Sequence, residues 1–377
     1  MARPPLLEPI ALDRALARGW YRMRQSMFTC RFLTRDTGLF SVVWTRLPLD
    51  TMVLRKSQRR RLNRIHRDLR VDVGPMVLDG EREQLYSRYR AHAQGDRAPS
   101  LKETLFEDAT AVANLPVTLT TLDANGDPDP PGRNLFDTWE VRIRTPEGRL
   151  VGLSIFDRGQ SALQSIVGIY DPEWARYGLG TATMLIEADW GRRQGFRHHY
   201  SGYVVPGLDS FEYKHDIGSL EALHPTGGVG VGGVWRPVER LNTAMLPAAR
   251  LRETLLHVAR GLDRSGVANQ LRLYPPYRFV QLNRLQERAL GEPLFLEVDQ
   301  QRGGPFRLGV SMDIDQGTLQ LDLLSRGRDI SHMISDVSPD SPFLPEMHVL
   351  TRIARMSTAE TPAEMVRLVR AVCRRSA

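Results

Sequence analysis

The 377-residue chain has only two cysteines, Cys30 and Cys373, far apart along its length. That scarcity excludes a disulfide framework, a CxxC zinc or redox site, and a cysteine-held iron–sulfur cluster within one chain. The histidines form no HExxH. The adjacent His198 and His199 fit neither a shared helix face nor the four-residue step of a zinc helix, so no metal is expected. No stretch approaches the ~18 consecutive apolar residues that a spanning helix needs. Residues 1–19 lack the apolar core and small-residue site of a secretory leader. A cytoplasmic protein with no membrane partner is the expectation. A GxSxG nucleophile elbow is also missing. Lysine is rare as well: Lys56, Lys102 and Lys214 stand against 48 arginines.

With 41% hydrophobic and 25% charged residues, the composition is that of a globular protein with a real core and room for two or more domains. The net charge of +7 is concentrated. Arg55, Lys56, Arg59, Arg60, Arg61, Arg64, Arg67 and Arg70 share one short segment with a single acid, Asp68, and the rest of the chain balances at 43 basic and 43 acidic residues. Leu62, Ile65 and Leu69 recur at helical spacing, so the segment reads as an amphipathic helix. Lys56, Arg60, Arg64 and Arg67 lie opposite that seam. Solvated helices usually interleave acids in i,i+4 pairs, and like charges at that spacing repel. An anionic partner would relieve the cost. Phosphates of a nucleic acid or polyphosphate are the leading candidates, ahead of a merely solvated face or anionic lipid.

Apolar runs at Met27–Phe32 and Leu39–Trp44 read as strands, Val71–Val73 as a short strand and Glu81–Ala93 as a helix. The polar stretch Asp123–Asn134 reads as an exposed loop. Strands are expected at Trp139–Ile143, Leu150–Phe156 and Leu163–Tyr170, with Pro146–Gly148 turning the first pair into a hairpin. A helix over Thr181–Gln194, a strand over His198–Val204 and a short helix over Asp209–His215 follow. This order is that of a GNAT acyltransferase fold. The overall expectation is therefore an α+β or α/β protein. It has an N-terminal subdomain with the basic helix (1–95), a GNAT-like domain (96–240) and an extra C-terminal α+β domain (246–377). For the last, a helix at Ala248–Arg264, strands near Leu294–Val298, Leu308–Ile314 and Leu319–Leu324, and a helix at Pro362–Arg374 are expected.

Two stretches are rich in glycine. Thr226–Trp235 contains GxGxxG at Gly228, Gly230 and Gly233, but Arg236-Pro237 follows where a helix should run, so it reads as a flexible connection. Arg176, Gly178, Gly180 and Thr181 lie between a strand and a helix, where backbone N–H groups can cradle an anion. That stretch approaches, one residue short, a pattern acetyltransferases use for the coenzyme A pyrophosphate.

Several blocks in succession resemble one family. Arg55-Lys56-Ser57-Gln58-Arg59-Arg60 and Leu85-Tyr86-Ser87-Arg88-Tyr89 come first. Tyr170-Asp171-Pro172, Leu179-Gly180-Thr181 and Glu187-Ala188-Asp189-Trp190 with Arg193 follow. Gly202-Tyr203, Tyr213-Lys214, Leu220–Leu223 and Trp235-Arg236-Pro237 complete the order. Over residues 19–238 this succession is similar to that of arginyl-tRNA–protein transferases and their bacterial leucyl-transferring relatives. The family usually carries an N-terminal cysteine cluster for a metal or iron–sulfur centre. Only Cys30 stands in that region, so no such cofactor is expected. The chain also continues well beyond the last matching block.

The resemblance implies transfer of an amino acid, arginine or leucine-like, from charged tRNA to an amine of a protein or peptide, commonly an acidic N-terminus. Aminoacyl-tRNA would be a co-substrate and no cofactor is needed. The ester is already activated, so positioning supplies much of the rate, up to ~7–11 kcal/mol of the barrier. By this resemblance Lys214, Tyr213 and Tyr203 are the catalytic candidates. Arg55, Lys56, Ser57, Arg59, Arg60, Arg64 and Arg67 would hold tRNA, and Arg176, Gly178, Gly180 and Thr181 would form the acyl-donor loop. The remaining readings are an acetyl-coenzyme A-dependent N-acetyltransferase and a non-catalytic RNA-binding protein on a transferase scaffold.

Overall fold

The computed structural model describes residues 7–35, 38–93, 97–106, 134–226, 230–277, 289–298, 306–331 and 344–375. Helices and mixed sheets give the α+β class expected. The chain divides into two compact units. The first comprises Met1–Cys30, Val43–Val204 and Leu208–Leu241; the second comprises Arg31–Val42, Val205–Gly207 and Asn242–Ala377.

The first unit is organised by an eight-stranded sheet in the order β12-β11-β5-β10-β9-β8-β7-β6. Its strands are β5 (Val43–Pro48), β6 (Arg70–Pro75), β7 (Thr138–Arg144), β8 (Leu150–Arg158), β9 (Ala162–Tyr170), β10 (His198–Val204), β11 (Glu221–Pro225) and β12 (Gly233–Pro237). Strands from before and after residue 95 thus share one sheet. β8 is buried along nearly its whole length because helices cover both faces. Helices α2 (Lys56–Asp68) and α5 (Leu179–Arg193) share one apolar cluster, in which Leu62 and Ile65 meet Leu179, Ala182 and Leu185. Helices α3 (Gly80–His92) and α4 (Leu101–Leu105) share another, where Leu85, Leu101 and Leu105 pack with Leu153 and Ile155. Helix α1 (Pro9–Ala17) buries Leu12 and Leu16 against Phe136 and Tyr200.

In the second unit a six-stranded sheet runs β17-β13-β14-β15-β16-β18. Its strands are β13 (Asn269–Leu273), β14 (Leu294–Val298), β15 (Phe306–Asp313), β16 (Thr318–Asp329), β17 (Leu344–Pro345) and β18 (His348–Ala359). Helices α6 (Pro247–Asp263) and α7 (Pro362–Arg375) bury Leu251, Leu255, Met365 and Val369 in the core of this unit.

The two N-terminal apolar runs differ from the expected single strands. The first is divided between β2 (Ser26–Phe28), which pairs with β1 (Tyr21–Met23), and β3 (Phe32–Arg35). The second is divided between β4 (Gly38–Ser41), paired with β3, and β5. The chain passes from one unit to the other within each run, so Met27 and Phe32 serve different cores. The end of the glycine-rich stretch, Gly233–Trp235, lies in a strand rather than in a flexible connection. β12 pairs antiparallel with β11, and Gly230 at φ +74° takes a 3.0 Å hydrogen bond on its carbonyl from Trp20 Nε1. Gly228 and, apart from Asn134, the stretch Asp123–Asn134 expected as an exposed loop lie outside the described residues.

Candidate active site

β9 and β10 are parallel neighbours only where His198–Tyr200 lie against Ala162–Gln164. Beyond that point β9 continues with β8, and β10 with β5. The strands therefore part toward their C-terminal ends, the place where α/β sheets commonly receive ligands. Tyr21 reaches this opening from β1. Its hydroxyl donates to the Ser165 carbonyl of β9, and the Tyr200 carbonyl of β10 lies 3.5 Å away. Burial first, then Glu187 and Asp157, push its phenol well above the ordinary value, so it remains a proton donor.

A bulge interrupts the β10–β5 ladder between His199 and Gly202. Gly202 sits at φ +90°, and a Cβ there would stand 3.2 Å from Lys214 Nζ and 3.5 Å from the Tyr21 hydroxyl. Glycine thus keeps open the small space between an amine and a phenol.

Lys214 lies in a 3-10 segment, Asp209–Ile217. Its Nζ donates 2.7 Å to the Tyr203 carbonyl and faces the rings of Tyr203 and Phe211 at 5.4 and 5.5 Å. Among the described residues no carboxylate pairs with it. Burial lowers its pKa to about 8, so near neutral pH the amine is available in both protonation states. The Tyr203 ring is itself held edge-on by Trp44 at 5.2 Å. Tyr213 is 45% exposed. Partial burial raises its phenol, the nearby Tyr89 adds to the rise and the nearby Arg97 opposes it. Tyr89 packs on Tyr170 at 5.5 Å, and Tyr170 lies 3.3 Å from where a Gly180 Cβ would stand. A line of rings therefore runs from the Lys214 segment to the start of α5.

That start is the expected glycine loop. Gly178 adopts φ +63°, no side chain caps the helix, and its first turn carries no acid. Three backbone N–H groups of the first turn thus lack intrahelical partners. Helix α2 lies beside it. Arg61 is 3.5 Å from the position of a Gly178 Cβ, Arg64 donates to the Arg176 carbonyl at 3.4 Å, and Arg64 stacks on Tyr177 at 4.5 Å. Arg176 is exposed and lies 5.4 Å from the same ring, while Thr181 sits in the first turn. The other end of α2 is tied to the Lys214 segment: Arg55 Nη2 donates 3.0 Å to the His215 carbonyl, and Gln58 Nε2 donates 2.5 Å to that of Asp216. One basic helix thus links the lysine to the glycine loop. Lys56, Ser57, Arg59 and Arg60 are exposed along it; Arg59 also bonds the Leu54 carbonyl at 2.9 Å. Arg67 is the exception, since it pairs with Asp68 at 2.7 Å.

Blocks distant in sequence meet here. Asp171 accepts from Arg88 at 2.9 Å and Arg149 at 2.6 Å, joining α3 to the segment before the glycine loop. Behind the opening, Glu187 of α5 holds His199 Nε2 at 2.8 Å and accepts from the Ser154 hydroxyl. Arg46 stacks on Trp235 at 4.5 Å. Sequence reasoning missed Tyr21, Gly202 as the space-maker, and Arg97. Only Gly202 carried a signal, as a glycine inside a strand.

The family model described as "Arginine-tRNA-protein transferase, C terminus" matches residues 81–224. The chain is 30% identical over 219 residues to the aspartate/glutamate leucyltransferase of Gluconobacter oxydans, an alignment covering 57% of this chain and 80% of that protein. It belongs to the aminoacyl-tRNA–protein transferase family. The protein of the same name from Stenotrophomonas maltophilia strain K279a is 32% identical over 118 residues, 28% of this chain and 47% of its own. Among solved structures, L-PGS from Bacillus licheniformis is similar at a TM-score of 0.30 and 14% identity, over 46% of each chain. The transferase family read from the sequence blocks is borne out, and membership makes the chain a tRNA-dependent aminoacyltransferase. No helix among the described residues is long and apolar enough to cross a membrane.

Proposed function

We propose that this transferase moves leucine, or a similar amino acid, from its tRNA to the N-terminal amine of a protein or peptide that begins with aspartate or glutamate. The names of its relatives support the donor and the acceptor. The observation that carries the reading is α2, whose cationic face extends from the Lys214 segment to the uncapped start of α5. In this reading Arg55, Lys56, Ser57, Arg59, Arg60 and Arg64 hold tRNA phosphates, with Arg67 contributing less because of Asp68. Arg176 and the N–H groups of Gly180 and Thr181 hold the phosphate near the aminoacyl end. The parting of β9 and β10 supports a GNAT-type acceptor cleft.

The acceptor amine attacks the ester carbonyl in the opening. A C–N bond forms, the C–O bond to the ribose breaks, and one amine proton must reach the leaving ribose oxygen. Neutral Lys214 takes that proton and returns it to the leaving oxygen. Tyr21 or Tyr213 donates toward the oxyanion. Arg97, exposed beside Tyr213 and Tyr89, is suited to the acidic first side chain. No cofactor is required, since the ester arrives activated.

The experiment is a mixture of labelled aminoacyl-tRNAs and acetyl-coenzyme A, offered with peptides beginning Asp, Glu or Ala. Label from leucyl-tRNA on the acidic peptides alone is expected. Acetylation without aminoacyl transfer would replace this reading with that of an acetyltransferase.

A further inference from the structure

The second unit contains a polar cavity of about 480 Å³, within the usual range of small-molecule sites, ~300–1,000 Å³. Part of its wall is the segment 289–293, which is fixed at both ends. Ala289 bridges to Thr351, the Leu290 N–H donates 2.9 Å to the Leu350 carbonyl, and the Tyr274 N–H donates 2.7 Å to that of Pro293. The remaining wall is supplied by β15, β16 and β18, including Ser311 and Asp322, both buried at 2% exposure.

The charges here are unequally satisfied. Asp322 is occupied by Arg355, which also donates 2.6 Å to Gln320. Asp313 spends Oδ1 on the N–H groups of Asp315 and Gln316, at 3.0 Å each. Among the described residues, Glu292 receives no hydrogen bond and forms no ion pair. Burial pushes its carboxyl up to about 8; Asp313 and Asp315 add to the rise, and Arg31, itself paired with Asp315, opposes it. A carboxyl so placed favours a cation beside it. Arg352 and Arg355 of β18 also line the cavity. No group of three side chains suited to a metal occurs among the described residues, and the carboxylates disfavour a phosphate.

We propose that this cavity binds a small zwitterion with a free primary amine and a free carboxylate, of amino-acid to dipeptide size. The amine lies between Glu292 and Asp313, and the carboxylate faces Arg352. The site is independent of the transfer chemistry. An entering ammonium ionises Glu292, so binding of a free amino acid releases a proton at pH 7 and strengthens as pH rises from 6.5 toward 8, whereas a dipeptide, whose own amine titrates at about 8, gains less. The charged groups around Glu292 are Asp313, Asp315 and Asp322 and, of opposite sign, Arg31, Arg352 and Arg355.

The test is calorimetry on the full chain with leucine, arginine, glutamate and alanyl-alanine, each beside its N-acetyl and C-amide forms. Saturable binding of at least one unblocked probe is expected, weakened tenfold or more by acetylation or by Glu292→Gln. Amidation or Arg352→Gln should weaken it similarly, while Lys214→Met leaves it unchanged. Thermal unfolding of both cavity variants checks that they remain folded, and Glu292→Gln should not lower the midpoint. No heat with any probe at millimolar concentration overturns the proposal. So does equal binding of blocked and free probes, or loss of binding in Lys214→Met alone.

Discussion

The amine of Lys214 donates a 2.7 Å hydrogen bond to the carbonyl of Tyr203, among aromatic rings and with no described carboxylate paired to it. A buried ammonium with that surrounding is costly: depression from 10.5 to about 8 corresponds to about 3 kcal/mol. Lys214→Met should remove the cost and lose a hydrogen bond worth about 1 kcal/mol. The variant is expected to be more stable by about 2 kcal/mol at pH 7 in urea titrations. Between the folded value near 8 and the unfolded 10.5 the native protein binds fewer protons than the unfolded chain. Wild-type stability from this group therefore rises across that window, and the variant's advantage disappears toward pH 10.5.

The same substitution should slow transfer by roughly 10²–10⁴-fold. The ratio of wild-type to variant rate cancels titration of the acceptor's own amine. It should rise with pH up to about 8 and then level, as Lys214 becomes the neutral base. A flat ratio across pH 6 to 9 would remove Lys214 from proton transfer.

Asp171 ties the glycine-loop segment to α3 through Arg88 and to the start of β8 through Arg149. Burial tends to raise its carboxyl, but Arg149, the Glu173 N–H and Arg88 outweigh burial and hold it below the ordinary value. Its contribution is therefore present above the unfolded pKa and lost as pH falls through the folded one. Asp171→Asn is expected to cost about 1–2 kcal/mol at neutral pH, since both arginines stay partly solvated. Denaturation curves of the two proteins should converge in acid.

Much of this site was readable before the fold. Leu62 and Ile65 marked the buried seam of α2, and the rarity of lysine singled out Lys214 beside matching family blocks. The opening itself was not readable, because it depends on β10 pairing with β5, far upstream, rather than following β9 to its end. Tyr21 gave no local signal for the same reason: its partners belong to β9 and β10. In the second unit β18 escaped detection because Ile353 and Met356 are exposed at 50% and 44%, so its apolar residues do not trace a buried face. The pairing of β12 with β11 was hidden by glycines that resemble a loop, one of which, Gly230, accepts a hydrogen bond from Trp20.

Gly202→Ala tests the space between Lys214 and Tyr21. The positive φ and the close approach to Nζ should cost about 1–3 kcal/mol. Initial rates at a temperature where the variant remains folded should fall further than the loss of folded protein explains, because the new methyl displaces the amine.

Arg60→Glu with Arg64→Glu reverses charge on the exposed face of α2 while leaving Leu62 and Ile65 buried. Binding of charged tRNA should weaken strongly. If the wild-type helix neutralises four phosphates, log K falls against log salt with a slope of about −3, and the double variant should flatten it by about 2. Filter binding at several salt concentrations reads both effects.

The most direct measurement is single-turnover transfer with excess enzyme, using leucine-labelled tRNA and a peptide beginning with glutamate. The expected result is label in amide linkage at the peptide's N-terminus, fast with the wild type, nearly absent with Lys214→Met and absent when the peptide amine is acetylated. Label that remains on tRNA with the wild type, across all charged tRNAs and acidic peptides, would contradict the account.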